Sequence, residues 1–63
     1  MHWKLKERRK EYAKLTQKEI AKMLGINETS YIRKENGKTQ FTVDEVIKLL
    51  NILECDFKDI FVY

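Results

Sequence analysis

The sequence predicts an all-α protein built from five short helices. Apolar residues recur at helical spacing along the whole chain, which contains no proline and only two glycines. Threonine and glutamate three residues apart form capping boxes at Thr16 and Thr42, and such boxes are typical of helix starts. Repeats, low-complexity segments and linkers are absent from the sequence. We therefore expect a single domain over residues 1–63.

The first predicted helix runs from about Trp3 to about Tyr12. Leu5, Arg9 and Tyr12 stand at positions i, i+4 and i+7, so they should share one face, which we expect to lie against the core. The remaining basic residues of this helix should lie mostly outside; they are Lys4, Lys6, Arg8 and Lys10.

The second and third helices should be joined by a tight turn. The capping box of Thr16 starts a helix over about 17–24. Gly25 can adopt the left-handed conformation that closes this helix, because it has no Cβ atom. Asn27 is a favourable cap for the third helix, which we expect over about 28–36.

The capping box of Thr42 opens a fourth helix. The apolar residues that follow at helical spacing should form its inward face; they are Val43, Val46, Ile47, Leu50 and Leu53. Asp56 is expected to cap a short fifth helix. That helix should present Phe57, Ile60 and Phe61 to the core.

Charge is distributed unevenly along the chain. Residues 1–40 contain eleven Lys or Arg and five Asp or Glu, whereas residues 41–63 contain two and five. The basic half is therefore the half that contains the predicted glycine turn. A polyanion should be attracted to this half and repelled by the other.

The composition excludes several classes of site. Cys55 is the only cysteine and His2 the only histidine, so neither a disulfide framework nor a Cys/His zinc site can form. The sequence offers no nucleophile with a partnering base and no glycine-rich phosphate loop, so we expect no enzyme, no cofactor and no small-molecule ligand. Without a signal peptide or an apolar run of roughly 18 residues, we expect a cytoplasmic protein with no membrane partner.

One pattern extends over nearly the whole chain. Its residues are Leu15, Thr16, Gln17, Ile20, Ala21, Leu24, Gly25 and Ile26, then Glu35, Asn36, Gly37 and Lys38, then Phe57, Asp59, Ile60 and Phe61. The segment T-Q-x-x-x-A-x-x-x-G, followed ten residues later by E-N-G-K, is its most specific part. With these residues the chain resembles the Cro and phage-repressor helix-turn-helix regulators, also called the XRE family. The resemblance implies a five-helix, lambda-repressor-like domain that binds double-stranded DNA through a central helix-turn-helix.

The resemblance also implies which residues read the DNA bases. Residues 28–36 would form the recognition helix in the major groove, with Glu28, Thr29 and Arg33 facing the bases. Arginine can present two donors to guanine, and glutamate can accept a hydrogen bond from the cytosine amino group. The methyl group of threonine can contact the methyl group of thymine.

Contacts to the DNA backbone are carried over from the family to Gln17, Asn27, Ser30, Asn36, Lys38 and Thr39. In the family, the glutamine that corresponds to Gln17 opens the second helix beside a phosphate. Asn27 and Asn36 lie at the two ends of the third helix, so each has the alternative of a purely structural role.

A structural pair and three departures from the family pattern complete the prediction. The family often places an arginine of the first helix against the E-N-G-K glutamate; Arg9 and Glu35 fit if the first loop is one residue longer than usual. The alternative is two unrelated surface charges.

Three residues depart from the commonest family pattern. Tyr31 stands where the family usually has a compact aliphatic residue, Ile32 where it has a polar residue, and Lys34 where it has an apolar residue. Tyr31 and Lys34 could each bury a stem and expose a polar tip.

The sequence thus predicts a sequence-specific transcriptional regulator, a phage or mobile-element repressor acting in a bacterium or a phage-infected cell. Two copies should bind one near-palindromic operator as a homodimer. The expected dimer surface is apolar and consists of Ile52, Phe61, Val62 and Tyr63. Two alternatives stay open: a protein-interaction module, such as an antitoxin or antirepressor partner, and a nonspecific nucleic-acid binder.

Overall fold

The computed structural model describes residues 2–61, which form helices joined by turns and loops and contain no strand. The helices are α1 (Trp3–Glu7), which continues into a π-helix (Arg8–Tyr12), α2 (Gln17–Leu24), α3 (Glu28–Glu35), α4 (Val43–Leu53) and α5 (Phe57–Ile60). The prediction of an all-α, five-helix fold is confirmed. None of these helices is long and apolar enough to span a membrane.

Both predicted capping boxes are formed. The backbone N–H of Glu19 donates to the hydroxyl of Thr16 at 3.1 Å, and the Glu19 carboxylate accepts from the Thr16 N–H at 2.9 Å. Thr42 and Glu45 make the same two hydrogen bonds at the start of α4, at 3.2 and 2.8 Å. These side chains satisfy backbone donors that have no partner inside the helix, so they fix where α2 and α4 begin.

The turn between α2 and α3 has the predicted geometry. Gly25 closes α2 with φ of 77°. A Cβ atom added to Gly25 would meet nothing within 4 Å, so the left-handed backbone, rather than crowding, requires glycine here. The side chain of Asn27 accepts a hydrogen bond from the Ser30 N–H at 2.7 Å and caps α3.

The first helix changes type halfway along its predicted length. From Arg8 to Tyr12 it is a π-helix, and the Ala13 N–H donates to the Arg8 carbonyl at 3.1 Å. Each turn of a π-helix takes in more residues than an α-helical turn. Arg9 is buried within this wider turn.

The buried core combines apolar residues from all five helices and from the residue after α5. Its members are Leu5, Ile20, Ala21, Leu24, Tyr31, Leu49, Leu53, Ile60 and Phe61. The predicted inward face of α4 was wrong at Val43 and Ile47, which are 75% and 52% exposed, whereas Leu49 is completely buried. The true face follows Glu45, Leu49 and Leu53 at intervals of four residues. The spacing of apolar residues alone does not indicate this face, because Glu45, a charged residue, is buried with the apolar ones.

Two aromatic residues lie farther out than predicted. Tyr12 is 50% exposed, because its hydroxyl donates to Glu54 at 2.7 Å and the Arg8 guanidinium stacks on its ring. Phe57 is 47% exposed and lies with its ring centroid 4.8 Å from that of Phe61. These side chains cover the edge of the core rather than fill it.

Two of the four residues predicted to form the dimer surface, Ile52 and Phe61, lie in the described part of the chain. Phe61 is only 6% exposed and belongs to the core, and Ile52 is partly buried against the same core. Val62 and Tyr63 lie outside the described residues. A side chain that is already buried within its own chain offers little area to a second copy, so Phe61 can contribute little to an association surface.

A buried network around Glu35 connects the π-helix, α2 and α3. The Arg9 Nε atom lies 2.9 Å from Oε2 of Glu35, and a second Arg9 nitrogen donates to Oε1 at 3.3 Å. The hydroxyl of Tyr31 donates to Oε2 at 2.7 Å, and the amide of Gln17 donates to Oε1 at 3.0 Å. Arg9 also donates to the carbonyl of Leu15 at 2.8 Å.

These hydrogen bonds determine the protonation states of the Glu35 carboxyl group and the Tyr31 hydroxyl group. Burial alone would raise the pKa of Glu35, but the hydrogen bonds from Arg9, Tyr31 and Gln17 outweigh it, so the pKa of Glu35 lies below its ordinary value. Burial and the contact with the Glu35 carboxylate raise the pKa of Tyr31. Glu35 is therefore an acceptor and the Tyr31 hydroxyl a donor at neutral pH.

We expect Arg9→Ala and Glu35→Ala each to destabilise the protein by about 3 to 5 kcal/mol, because either change leaves a buried charge without its partner. The double variant should lose less than the sum of the two single losses. Urea unfolding measures the three free energies, with Lys10→Ala as a control on the exposed side of the same π-helix. Strictly additive losses would contradict an energetic coupling between Arg9 and Glu35.

Tyr31→Phe should destabilise the protein by about 1.5 to 3 kcal/mol, because it removes one hydrogen bond to a buried carboxylate and changes the volume little. Tyr12→Phe is the matched control, since the Tyr12 hydroxyl also bonds a carboxylate but is exposed. The control should change the unfolding free energy much less. Equal losses for the two variants would show that burial of the Glu35 network adds nothing.

Candidate nucleic-acid interface

Two of the predicted base-facing residues, Thr29 and Arg33, lie one turn apart on the exposed side of α3, and the third, Glu28, is the first residue of the helix. Glu28, Thr29 and Arg33 are all exposed and stand at positions i, i+1 and i+5 of the helix. Tyr31 and Glu35 are buried. They stand three and seven residues after Glu28, so Glu28 is in line with the buried stripe and is exposed at the start of the helix. Within residues 2–61, neither Glu28 nor Arg33 takes part in an ion pair, so both side chains are free to meet a ligand.

Gln17 is held in place by the buried network. Its amide group donates one hydrogen bond to Glu35 at 3.0 Å. A side-chain amide carries two N–H donors, so a second donor remains for a phosphate oxygen. Gln17 also begins α2, where backbone N–H groups and the positive end of the helix dipole favour an anion.

The other predicted backbone-contacting residues lie at the two ends of α3. Asn27 and Ser30 stand at its start, with the Asn27 side chain engaged as the cap. Asn36, Lys38 and Thr39 are exposed in the segment that follows α3. That segment is fastened to the helix, because the Lys38 N–H donates to the carbonyl of Arg33 at 2.9 Å.

Comparison with known families decides what this arrangement is. A family model described as helix-turn-helix matches residues 5–60. The chain belongs to the XRE family of helix-turn-helix proteins. It is accordingly a DNA-binding transcriptional regulator, and the resemblance inferred from its sequence is confirmed. No curated protein and no solved structure is similar enough to this chain to count as a match.

A second ion pair fastens the end of the helix-turn-helix to α4. The ammonium group of Lys34 contacts the carboxylate of Glu45, which also accepts the Thr42 N–H. Burial would raise the pKa of Glu45, but these hydrogen bonds outweigh it, and the pKa of Glu45 lies below its ordinary value. The sequence carried a signal for this pair, since a lysine at a core position needs an acidic partner.

Tyr31 and Ile32 also differ from the XRE pattern, and the structure accounts for Tyr31. We expected its hydroxyl to be exposed, but Tyr31 is completely buried and meets Glu35 one helical turn later. The spacing of four residues could have indicated this contact. Ile32 is partly buried and lies outside the core cluster, beside the exposed polar side of α3.

Arg33→Ala should cost about 1 to 3 kcal/mol of specific DNA-binding free energy and relax the preference at one base pair of each half-site. Lys38→Ala should weaken binding to all sequences alike and lower the salt slope by about one, because a phosphate contact carries no base information. Binding titrations on specific and random duplexes at several salt concentrations separate the two effects. An equal loss on both duplexes for Arg33→Ala would remove it from the base-contacting residues.

Proposed function

We propose that this regulator represses transcription by binding a specific operator through α3. In this proposal α3 enters the major groove, and Glu28, Thr29 and Arg33 contact the base edges. The observation that supports it is the exposed polar side of α3, whose opposite side is fixed by the buried ion pair of Glu35. A fixed helix can present the same donors and acceptors to each DNA site.

The backbone contacts that we propose surround this base-contacting surface. Gln17 approaches the phosphates from the start of α2, and Asn27 and Ser30 approach from the start of α3. Asn36, Lys38 and Thr39 approach from its end. Contacts at both ends of a recognition helix fix its position along the groove, so the base-facing side chains meet defined base pairs.

Two copies of the protein bind one operator in this proposal. A two-fold arrangement places the recognition helices about 34 Å apart, one turn of DNA, and requires a near-palindromic site. Bound in this way at a promoter, the pair excludes polymerase, as a phage or mobile-element repressor would.

The alternative is a protein-interaction module, such as an antitoxin or antirepressor partner. An apolar surface around Tyr31 and Ile32 would favour it. Tyr31 is completely buried, however, and the residues exposed beside Ile32 are polar or charged. The alternative therefore lacks the apolar surface around Tyr31 and Ile32 that would favour it, and we propose operator binding instead.

Selection from a pool of random DNA duplexes tests the proposal. We expect enrichment of a near-palindromic consensus, because each copy should contact one half-site. The double variant Glu28→Ala/Arg33→Ala is the control, and it should lose the consensus but keep its helical content. Enrichment of no sequence, with binding that falls with salt equally for every duplex, would favour the nonspecific binder. Absence of binding would favour the protein-interaction module.

A further inference from the structure

A groove between the first helix and α5 presents two aromatic side chains to the solvent. Trp3 is 56% exposed and Tyr12 is 50% exposed. The groove has a volume of about 420 Å³, and its other lining residues are Lys4, Glu7, Arg8, Glu11 and Asp59. Exposed aromatic side chains grouped in a concave surface are typical of sites that bind another protein.

Carboxylates predominate around this groove, although the whole chain has a net charge of +3. A shallow hollow adjoins the groove at Asp59 and adds the carboxylates of Glu54 and Asp56. The groove and the hollow together therefore present five carboxylates and two cations. Within residues 2–61, none of these five carboxylates forms an ion pair.

The two cations of the groove lie against its aromatic rings. The Arg8 guanidinium lies 3.9 Å from the centroid of the Tyr12 ring, and it donates to the carbonyls of Leu53 and Glu54 at 3.1 and 3.0 Å. The Lys4 ammonium lies 5.7 Å from the centroid of the Trp3 ring. Both contacts show that the rings of this groove accept cations. Because Arg8 is engaged by carbonyls of its own chain, the charge left for a ligand is negative.

We infer that this groove binds an arginine-bearing segment of a partner protein. A guanidinium group can stack on an exposed ring and donate two hydrogen bonds to one carboxylate, so it matches both features of the surface. A second copy of the chain fits less well, because a two-fold interface sets the same surface against itself and would bring the five carboxylates of each copy together. None of the groove residues is among the proposed DNA contacts, so the inference does not rest on the proposed function.

The fluorescence of Trp3, the only tryptophan of the chain, measures occupancy of the groove. The probe is a short acetylated and amidated peptide of alternating arginine and glycine, and its control is the same peptide with glutamate in place of arginine. We expect a saturable change in Trp3 emission with the arginine peptide only, at an affinity that falls as salt is added. Absence of a saturable change with the arginine peptide would overturn the inference.

Substitutions of single carboxylates test where the peptide binds. Glu11→Gln should weaken the affinity by about twofold to fivefold, the effect of losing one exposed ion pair. Asp44→Asn is the matched control, because it also removes one exposed carboxylate but lies on α4, outside the groove. The control should leave the affinity unchanged, and circular dichroism should show the same helical content in both variants.

Two results would assign the groove otherwise. Equal affinities for Glu11→Gln, Asp44→Asn and the unmodified protein would show that the peptide does not bind in the groove, and would overturn the inference. Self-association of the chain without peptide, lost in the double variant Glu7→Gln/Glu11→Gln, would overturn it in favour of a second copy. Sedimentation of the unmodified protein and of this double variant measures the association.

Discussion

The buried ion pair of Arg9 and Glu35 is the interaction on which the rest of this structure depends. Three elements meet at the carboxylate: the π-helix through Arg9, α2 through Gln17 and α3 through Tyr31. Burying two charges is costly, and such a pair adds little stability compared with apolar residues of the same size. A packing of the three helices that separated Arg9 from Glu35 would leave a buried charge without a partner, which is costly. Among the described residues, no buried side-chain polar atom lacks a hydrogen-bond partner.

This network also links the core to the surface that we propose contacts DNA. Glu35 ends α3, so the ion pair fixes the rotation of that helix and turns Arg33 toward the solvent. The same carboxylate orients the amide of Gln17 at the start of α2. On the other side of α3, Lys34 is fastened to Glu45. Two ion pairs at the end of one helix therefore hold its exposed side in a single orientation.

The parts of the fold that depend on neighbouring residues could be predicted from the sequence. The capping boxes, the turn at Gly25 and the bounds of α2 are set within a few residues, and they agree with the structure. The inward face of α4 was predicted wrongly, because apolar periodicity within α4 does not include Glu45, which is paired with Lys34 of another helix. Tyr12 was misplaced for the same reason, since its partner Glu54 is distant in the chain. For the candidate site, the sequence predicts which residues contact DNA. The structure supplies the contacts with Glu35 that orient Gln17 and α3.

The basic half of the chain exposes fewer unpaired cations than its number of Lys and Arg residues suggests. Arg9 and Lys34 are neutralised by buried acids, and Arg8 donates to backbone carbonyls at the end of α4. These three residues belong to the basic half but serve the fold. The exposed cations of the helix-turn-helix and the segment after it are Lys18, Lys22, Arg33 and Lys38. The helix-turn-helix itself therefore exposes few cations, while Lys10 and Lys14 are exposed in the part of the basic half that precedes it. Long-range attraction of a polyanion depends on these exposed cations and not on the paired ones.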